Sequence, residues 1–328
     1  MRRLILLMLL SAVGLNVMAQ ESGQMLVMFW NLENFFDWTD QGTGESDAEF
    51  SSAGKRHWTR KRFYSKCDAI AKTIFHIGDL YGKLPDVMGF AEIENRGVLE
   101  KLCSSTLLRK CGYRIIHFDS SDRRGIDVAL LYRTTCYNHL STSLRAPETD
   151  GKKLQTRDML HVSLKDLQTD EIYDYIVCHH PSKFGGEESS IPKRLAAMTA
   201  LKEMCDSLGN RNIIVMGDFN DYPTDKSLKR LCSGNGLQNL MKGKKGGTYR
   251  YRGEWGVLDQ FIVSGSLLNK KSHLRTSKAK AQVLRHAFLL EEDDKYGGDK
   301  PYRTYNGMKY QSGFSDHLPI SLDLTIGD

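Results

Sequence analysis

The 328-residue sequence lacks the cysteine patterns of a small metal-bound or disulfide-bonded domain. It contains no CxxC pair and no Cys/His spacing typical of a zinc site. Its seven cysteines are spread widely, and their odd number leaves at least one unpaired in a monomer. A chain of this length does not need disulfides to fold. These absences exclude a zinc finger and a disulfide-stapled scaffold, while the pairing of the cysteines stays open.

The sequence also has no internal repeat, no linker that would mark a domain boundary and no strong excess of charge of one sign. Its 46 basic and 40 acidic residues give a net charge of +6, which becomes +4 when Arg2 and Arg3 are left out. Basic residues cluster at 55–62, 242–245 and 270–280, which suits a polyanionic substrate. For any single cluster, a solvated helix face or loop is the better explanation.

Only the N-terminus contains a long apolar run. Arg2 and Arg3 precede apolar residues 4–17, and small residues lead up to Ala19, as is typical of a secretory signal peptide. The run is shorter than the roughly 20 residues that a bilayer span needs, which argues against a membrane anchor. We therefore expect residues 1–19 to be a signal peptide cleaved after Ala19, giving a secreted or periplasmic protein with no stable membrane insertion.

Apolar runs of strand length recur along the rest of the chain, at residues 25–30, 87–91, 114–118, 126–132, 172–178, 213–216, 257–263 and 318–324. Helical spacing of apolar residues occurs between them, at 63–77 and 195–208. The pattern predicts an α/β protein, and because some runs are separated only by a turn, it favours mixed sheets. We expect residues 39–54 to form a polar surface loop and residues 20–328 to form one domain.

Polar side chains stand where several of these predicted strands end, which is where α/β folds carry their chemistry. The clearest case follows residues 213–216: Gly217 allows close backbone approach, and Asp218 and Asn220 point the same way by the two-residue period. The other strand ends carry Asn31, Glu33, Glu92, His179, His180, Asp259, Asp316 and His317.

These residue types suit hydrolysis at phosphorus. A phosphodiester is anionic and resists attack, so the reaction needs a divalent cation, which Glu92 and Glu33 could bind through carboxylate oxygen. Asp218 is a candidate to orient and deprotonate water, and Asp259 is a natural partner to fix the tautomer of His317. The candidate donors to the phosphoryl oxygens are Asn31, Asn220, His179 and His317.

Each residue alone also has a structural interpretation. Glu92 or Asp218 could cap a helix, Asn31 could lie in a turn, and His317 could be a hydrogen-bonded histidine at a strand end. The joint pattern of five strand ends, each with a suitable residue type, favours an active site.

The motifs at residues 30–34, 91–95, 217–221, 258–260 and 315–317 occur in an order that resembles the endonuclease/exonuclease/phosphatase superfamily. That superfamily includes pancreatic-type deoxyribonuclease, abasic-site endonucleases, inositol-polyphosphate 5-phosphatases and neutral sphingomyelinases. The resemblance covers essentially the whole mature chain. It implies a four-layer α/β sandwich in which two packed mixed β-sheets are flanked by helices, with a metal site at one edge.

The resemblance also implies roles for residues. Asp218 and Asn220 match the pair that activates water or assists the leaving group, and His317 with Asp259 matches a phosphate-binding dyad. Glu92 matches the principal metal ligand. The implied catalytic residues are Asn31, His179, Asp218, Asn220, Asp259 and His317, and the implied metal-binding residues are Glu33, Glu92 and Asp316.

Residues 123–132 and 183–186 are similar to a secreted bacterial, endonuclease-like branch of that superfamily. In that branch the histidine is commonly preceded by Asn and followed by Trp-Pro-Ser, whereas here Cys178 and His180 flank His179. His179 is the better match, with His180 as the alternative. The implied substrate-binding residues are Asp127, Arg157, Arg194 and His180, a surface salt bridge being the alternative for each arginine.

The sequence thus predicts a secreted, monomeric phosphodiester hydrolase, most directly an endonuclease that cleaves DNA or RNA with Mg²⁺ or Mn²⁺, Ca²⁺ being a further alternative. Trp58, Tyr249, Tyr251 and Trp255 are interpreted as exposed aromatics that could stack on bases, the alternative being that they are core or loop anchors. A phosphoesterase for lipids or small phosphodiesters is the alternative enzyme, although no apolar membrane-facing hairpin is recognisable. An inactive binding protein would have lost a metal carboxylate or the Asp–His dyad, and the sequence keeps them all.

Overall fold

The computed structural model describes residues 23–42, 44–182, 186–209, 211–234, 236–269 and 272–326. The expected signal peptide, residues 1–19, lies outside these ranges. Among the helices that are described, none combines the length and the apolar character needed to cross a membrane. All seven cysteines are described, and no disulfide joins any of them within the described ranges.

The helices of the described ranges are α1 (Arg60–Tyr81), α2 (Arg96–Ser105), α3 (Glu187–Leu208) and α4 (Lys226–Leu231), with 3₁₀ turns at Leu107–Lys110, Gly265–Leu267, Lys278–Lys280 and Ala287–Leu289. Helix α1 confirms the predicted spacing at 63–77. Thr59 caps its first turn by accepting a hydrogen bond from the backbone N–H of Arg62, and Gly82 ends it with a left-handed φ of 71°. Helix α3 begins eight residues before the predicted start and contains Pro192.

The strands of the described ranges are β1 (Gln24–Phe35), β2 (Val87–Ile93), β3 (Tyr113–His117), β4 (Asp127–Arg133), β5 (Tyr137–Arg145), β6 (Glu148–Thr149), β7 (Lys152–Lys153), β8 (Met159–Asp166), β9 (Ile172–His179), β10 (Asn212–Asp218), β11 (Leu237–Asn239), β12 (Tyr249–Tyr251), β13 (Glu254–Gly256), β14 (Asp259–Ser264), β15 (Leu274–Arg275), β16 (Ala281–Val283), β17 (Leu290–Glu292), β18 (Asp299–Pro301), β19 (Tyr305–Asn306), β20 (Lys309–Tyr310) and β21 (Ile320–Ile326). All eight predicted strands are present. The β5–β8 hairpin and helix α2 were not predicted.

Two large sheets contain most of these strands. The first has the order β15–β21–β1–β2–β4–β3, with β16 also paired to β21, and the second has the order β11–β14–β10–β9–β8–β5. The pairs β1–β2 and β9–β10 are parallel, whereas the other pairs in both sheets are antiparallel. Both sheets are therefore mixed, as predicted.

Side-chain alternation along the strands divides the apolar residues into three layers. Val27 and Phe29 of β1 share a core with Val177 of β9 and Met216 of β10, which lies between the sheets. A second core joins the outer face of the first sheet to α1 and α2, and a third joins the outer face of the second sheet to α3 and α4. The result is the expected four-layer α/β sandwich.

The described residues of segment 39–54 form turns, bends and irregular backbone, but they are less exposed than a simple surface loop, because Asp47 and Phe50 are buried. The prediction that Trp58 is exposed was wrong. Its side chain is only 1% exposed, and its indole N–H donates to the carbonyl of Phe36 at 2.8 Å. A tryptophan with its one polar atom satisfied by the backbone is a core residue, and Trp58 cannot stack on a base.

Candidate active site

The predicted strand ends converge on one edge of the sandwich. β1 and β2 run parallel in one sheet, and β9 and β10 run parallel in the other, so each pair delivers its carboxyl ends together. In the second sheet, Asp218 at the end of β10 pairs with His179 of β9 on one side and with Asp259 of β14 on the other. Three of the predicted catalytic residues therefore stand side by side across three strands.

Asp218 is the centre of this arrangement. Its carboxylate accepts a hydrogen bond from the side-chain amide of Asn31 at 3.1 Å and another from the backbone N–H of Asn220 at 3.0 Å. The Nε2 atoms of His179 and His317 lie 3.7 and 3.6 Å from its Oδ2 atom. Burial of the carboxylate, reinforced by the charge of Asp259, raises the pKa of Asp218 to about 7.

His317 is held by a carboxylate partner, as the sequence indicated. Its Nδ1 atom lies 2.8 Å from Oδ2 of Asp259, and its backbone N–H donates to the hydroxyl of Ser315. Burial opposes protonation of the ring, but the charges of Asp259 and Asp218 outweigh it and hold the pKa of His317 well above its ordinary value. His317 is therefore an imidazolium at neutral pH.

The adjacent histidines His179 and His180 have different surroundings. Nε2 of His179 faces the Asp218 carboxylate, whereas the ring of His180 packs against Phe219, with centroids 4.7 Å apart. Burial, and then the positive charge of Arg157, lowers the pKa of both rings. Both histidines are neutral at pH 7, and His179 is the one beside the predicted catalytic carboxylate.

Glu92, the predicted principal metal ligand, ends β2 in a setting that keeps it ionised. One carboxylate oxygen accepts a hydrogen bond from the backbone N–H of Asn34 at 2.7 Å, and the guanidinium of Arg124 lies 3.4 Å away. Burial alone would raise the pKa of Glu92, but Arg124 and the Asn34 N–H together hold it below its ordinary value. Glu92 is only partly buried, and its ionised carboxylate offers the oxygen ligand that a hard divalent ion prefers.

The other two predicted metal ligands are occupied by protein groups. The carboxylate of Glu33 accepts hydrogen bonds from the backbone N–H groups of Thr304 at 2.6 Å and Tyr305 at 3.3 Å. Arg303 lies between the remaining charges, 3.5 Å from Glu33 and 2.8 Å from Asp316. Glu33 thus anchors a distant loop beside the site, and its role as a ligand stays a prediction.

The backbone at this edge is strained. Four residues other than glycine have left-handed φ values, namely Glu33 at 51°, Asn34 at 51°, Glu92 at 61° and Asn220 at 51°. Such conformations disfavour side chains other than glycine and persist where the surrounding structure imposes them, most often at functional sites.

Two groups of side chains in the described ranges bring three possible metal-binding atoms within 4.8 Å of one another. One comprises Asp218, Asp259 and His317, and the other His117, Asp119 and Asp127. The predicted trio of Glu33, Glu92 and Asp316 is not among them; Arg303 lies beside Glu33 and Asp316, and Arg124 lies beside Glu92.

Comparison with known proteins identifies the family and the fold. The model of the Endonuclease/Exonuclease/phosphatase family matches residues 26–325, nearly all of the described chain. The chain belongs to this family. As a member of the endonuclease/exonuclease/phosphatase family, it is an enzyme that hydrolyses phosphoester bonds and depends on a divalent metal ion. No curated protein sequence matches it.

Solved structures of family members share the fold at low sequence identity. A mannosyl-6-phosphatase of Bacteroides thetaiotaomicron is 17% identical over 92% of this chain and 100% of that one, with a TM-score of 0.60. The human Nocturnin catalytic domain is 16% identical over 93% and 95%, with a TM-score of 0.57. TDP2 of D. rerio with a single-strand DNA product is 12% identical over 92% and 99%, with a TM-score of 0.57.

The two arginines predicted to bind substrate lie near the site but are engaged with protein groups, whereas Asp127 lies on the first sheet beside His117. Arg157 donates to the carbonyls of His179 and His180 and forms an ion pair with Asp122 at 2.9 Å. Arg194, which is buried, forms an ion pair with Asp221 at 3.1 Å. Through these contacts the two arginines position neighbouring protein groups. Direct contact with substrate stays a prediction for both.

Three basic residues near the carboxylates were missed by sequence reasoning. Arg124 faces Glu92, and Arg303 joins Glu33 to Asp316. Lys66 of α1 is buried and donates to Thr304 Oγ1 and, at 2.6 Å, to the carbonyl of Phe314. Arg124 could have been recognised from its place in the 123–132 motif. The contacts of Arg303 with Glu33 and of Lys66 with its partners carry no local signal, because they join residues 270, 238 and 248 positions apart.

Proposed function

We propose that this protein is an exported phosphodiester hydrolase that cleaves nucleic acid, with Asp218 as the group that accepts a proton from the attacking water. The observation that carries the proposal is the pairing of an Asp218 carboxyl of pKa about 7 with the imidazolium of His317, 3.6 Å apart. A general base works best when its pKa lies near the operating pH. An imidazolium beside it can donate to the oxygen on which charge grows.

Each residue of the group has a part in the proposed reaction. Water attacks phosphorus, its proton passes to Asp218, and the P–O bond to the leaving group breaks. Asn31 fixes the orientation of the Asp218 carboxylate through its 3.1 Å hydrogen bond. His317, kept charged by Asp259, donates to a phosphoryl or leaving oxygen, and the neutral His179 offers a second donor beside it.

Glu92 would hold the divalent ion, which we propose to be Mg²⁺ or Mn²⁺. When bound, the ion neutralises charge on a non-bridging phosphoryl oxygen. Asn220 has a positioning role in this scheme, because its side-chain amide donates to the carbonyl of His180 at 3.1 Å while its own N–H holds Asp218.

The surroundings of the site support a polyanionic substrate. A cavity of about 150 Å³ beside Glu33 is lined by Arg56, Arg303, Tyr305 and Asn34. On the other side, the ring of Tyr249 lies 4.8 Å from that of His317. Arginines flanking a metal site can contact successive phosphates, and aromatic rings can stack on bases.

The other two aromatics proposed for base stacking lie on opposite faces of the β12–β13 hairpin, Tyr251 on the face of Tyr249 and Trp255 on the face of Arg250. Tyr251 is 59% exposed, and the guanidinium of Arg252 lies over its ring at 5.2 Å. Trp255 is partly exposed, with Arg285 over its ring at 4.3 Å. TDP2 of D. rerio, a relative by fold, is known in complex with single-strand DNA product, which agrees with a nucleic acid as substrate.

A small phosphate ester is the second candidate substrate. The cavity beside Glu33 is compact, and one relative by fold is a mannosyl-6-phosphatase. A small phosphate ester would use mainly the cavity. A nucleic acid is larger and would also contact the Tyr249–Tyr251 surface.

One assay separates these candidates. The protein lacking residues 1–19 is supplied with Mg²⁺ and tested on plasmid DNA, RNA, sphingomyelin, mannose 6-phosphate and bis-p-nitrophenyl phosphate, with Glu92→Gln as the matched inactive control. We expect cleavage of DNA or RNA that EDTA abolishes and that the variant lacks. Turnover of mannose 6-phosphate alone would contradict the nuclease proposal, and full activity in EDTA would contradict the metal-dependent site. Export is checked by mass spectrometry for a mature N-terminus at Gln20, and the expected monomer by light scattering.

A further inference from the structure

A second group of possible metal ligands lies on the first sheet, apart from the Asp218 group. His117 is the last residue of β3, and it pairs with Ala129 of β4. Continuing this antiparallel register brings Asp119 opposite Asp127, the first residue of β4, and the two-residue period puts all three side chains on one face. One ligand atom from each residue lies within 4.8 Å of the others.

Two atoms of this group are buried and face each other without a hydrogen bond. The His117 side chain is only 2% exposed, and its Nε2 atom has no hydrogen-bond partner among the described residues. Oδ2 of Asp127 lies 3.6 Å from it, too far for a hydrogen bond. Oδ1 of Asp127 is satisfied separately by the backbone N–H of Ser120 at 3.0 Å and by the Ser120 hydroxyl. A buried polar nitrogen aimed at a free carboxylate oxygen requires a partner between them.

We propose that His117, Asp119 and Asp127 bind a divalent transition-metal ion, with Zn²⁺ as the ion that fits best. Tetrahedral zinc with ligands at roughly 2.1 Å places neighbouring ligand atoms roughly 3.4 Å apart. The 3.6 Å between His117 Nε2 and Asp127 Oδ2 nearly matches one edge of that tetrahedron. Mg²⁺ and Ca²⁺ fit less well, because they take six or more ligands, almost all of them oxygen.

Asp119 and water complete the coordination. The Asp119 side chain is 84% exposed, and its Oδ1 atom lies 3.9 Å from Nδ1 of the His117 ring, so the carboxylate has to turn towards the Nε2 side to bind the same ion. Rotation of an exposed carboxylate meets no packing resistance, so Asp119 can supply the third ligand. Three protein ligands and a water molecule make a four-coordinate site.

The electrostatic setting supports this assignment. Burial lowers the pKa of His117 to about 4 and raises the pKa of Asp127 to about 7. The ring is therefore neutral at pH 7, as a metal ligand must be, and the buried carboxyl lacks a cation. Asp119 and Asp122 add negative charge around Asp127. The positive charge of Arg96 opposes a cation near His117, but Arg96 is paired with Glu100 at 2.8 Å.

A metal here would join both ends of the segment between β3 and β4. That segment carries Arg124, which faces Glu92, and Asp122, which is paired with Arg157. The proposed ion would therefore stabilise the segment that places Arg124 at the active site, without itself contacting the substrate. This makes it a structural site, independent of the ion at Glu92.

Zinc binding by the EDTA-treated full chain tests the proposal. All variants are made in the Glu92→Gln background, so that zinc held at the catalytic carboxylate does not contribute. Equilibrium dialysis with Zn²⁺ alone, and the melting temperature with and without Zn²⁺, are compared for the background, Asp119→Asn, Asp127→Asn and His117→Gln. Asp170→Asn is the matched control, because Asp170 is another highly exposed carboxylate, on a different turn.

We expect the background and the Asp170→Asn protein to bind one Zn²⁺ each and to melt at a higher temperature with it. Zinc affinity should fall by roughly tenfold or more in Asp119→Asn, because the loss of a residue that only hydrogen-bonds to a metal ligand already lowers metal affinity by that factor. Zinc binding should be lost in Asp127→Asn and His117→Gln. Since Asp119 is exposed, its variant stays informative even if a buried variant fails to fold. Equal zinc binding by the background and Asp119→Asn, or no binding by the background, would overturn the proposal.

Discussion

Oδ2 of Asp218 lies 3.6 Å from Nε2 of His317, on the side of the imidazole ring away from Asp259. The His317 ring thus lies between two carboxylates that interact with it differently. Asp259 is hydrogen-bonded to the ring and keeps it charged, whereas Asp218 is too far away for a hydrogen bond and its pKa is about 7. This arrangement places a proton acceptor and a proton donor on the same edge of the sandwich.

Replacing Asp218 with Asn should lower kcat far more than it lowers stability. The amide keeps the volume and can still accept from Asn31, but it cannot take a proton from water. General acid–base assistance is worth roughly 10²–10⁴ in rate, and we expect kcat to fall by at least that range. Steady-state kinetics on the purified variant measure it, and turnover close to that of the wild type would remove Asp218 from the catalytic group.

The same variant should gain stability relative to the wild type as pH rises. The pKa of Asp218 is about 7 in the folded protein and 3.8 ordinarily, so in this window the folded state binds a proton that the unfolded chain has lost. Stability of the wild type therefore falls as pH rises from roughly 4 to 7, a slope that asparagine lacks. Melting temperatures of both proteins at pH 4.5 and 7 measure the difference. The melting temperature of the variant minus that of the wild type should rise between these pH values, and a difference that stays constant or falls would contradict the raised pKa.

His179→Ala should lose much more activity than His180→Ala, because only the His179 ring faces the Asp218 carboxylate. His180 is buried against Phe219, so its replacement should act chiefly on the melting temperature. kcat and melting temperature of both variants, measured together, test this. The reverse ranking in kcat would show that His180 is the active ring.

Asp259→Asn should move the alkaline limit of the pH–rate profile to lower pH. The charge of Asp259 is the largest influence that raises the pKa of His317, so without it the imidazolium loses its proton at lower pH. The profile of kcat/KM against pH for the variant and the wild type measures the shift. His317→Gln is the control, since the alkaline limb of the profile, where the rate falls as pH rises, should be absent in it. An unchanged limb in Asp259→Asn would mean that another group sets it.

Arg157→Met should lower kcat and stability while leaving KM nearly unchanged. Arg157 fixes the carbonyls of His179 and His180, and its loss leaves the buried Asp122 carboxylate without its ion-pair partner. Breaking one side of a buried ion pair costs about 3–5 kcal/mol. Urea unfolding and steady-state kinetics measure both effects, with the exposed Arg123→Met as control. A rise in KM with stability intact would instead support the sequence prediction that Arg157 contacts the substrate.

Much of the fold could be predicted because its signals are local. The end of β10 shows this well: an apolar run, then Gly217, then Asp218, all within one strand. The strand β5 was missed for the opposite reason, since most of its side chains are exposed and it has no apolar face to detect. Trp58 was misjudged because it follows basic residues in sequence, although its ring lies in the core beneath α1.

The environment of the predicted site residues could not be derived from the sequence. Glu33 was predicted as a metal ligand from its motif, but its carboxylate accepts from the backbone of Thr304 and Tyr305, some 270 positions later. Arg303 reaches Glu33 across the same separation. Contacts of this kind depend on how distant segments fold against one another, and no spacing or periodicity encodes them.

The catalytic group draws its members from both sheets: β1 brings Asn31 and the residues before β21 bring His317, while His179, Asp218 and Asp259 come from the other sheet. The hydrogen bond from Asn31 to Asp218 spans the two. A chain in which each sheet had formed but the two had not yet packed would contain every one of these residues and no active site. Recovery of turnover during refolding would therefore report on the docking of the two halves, a step that circular dichroism of the strands alone would miss.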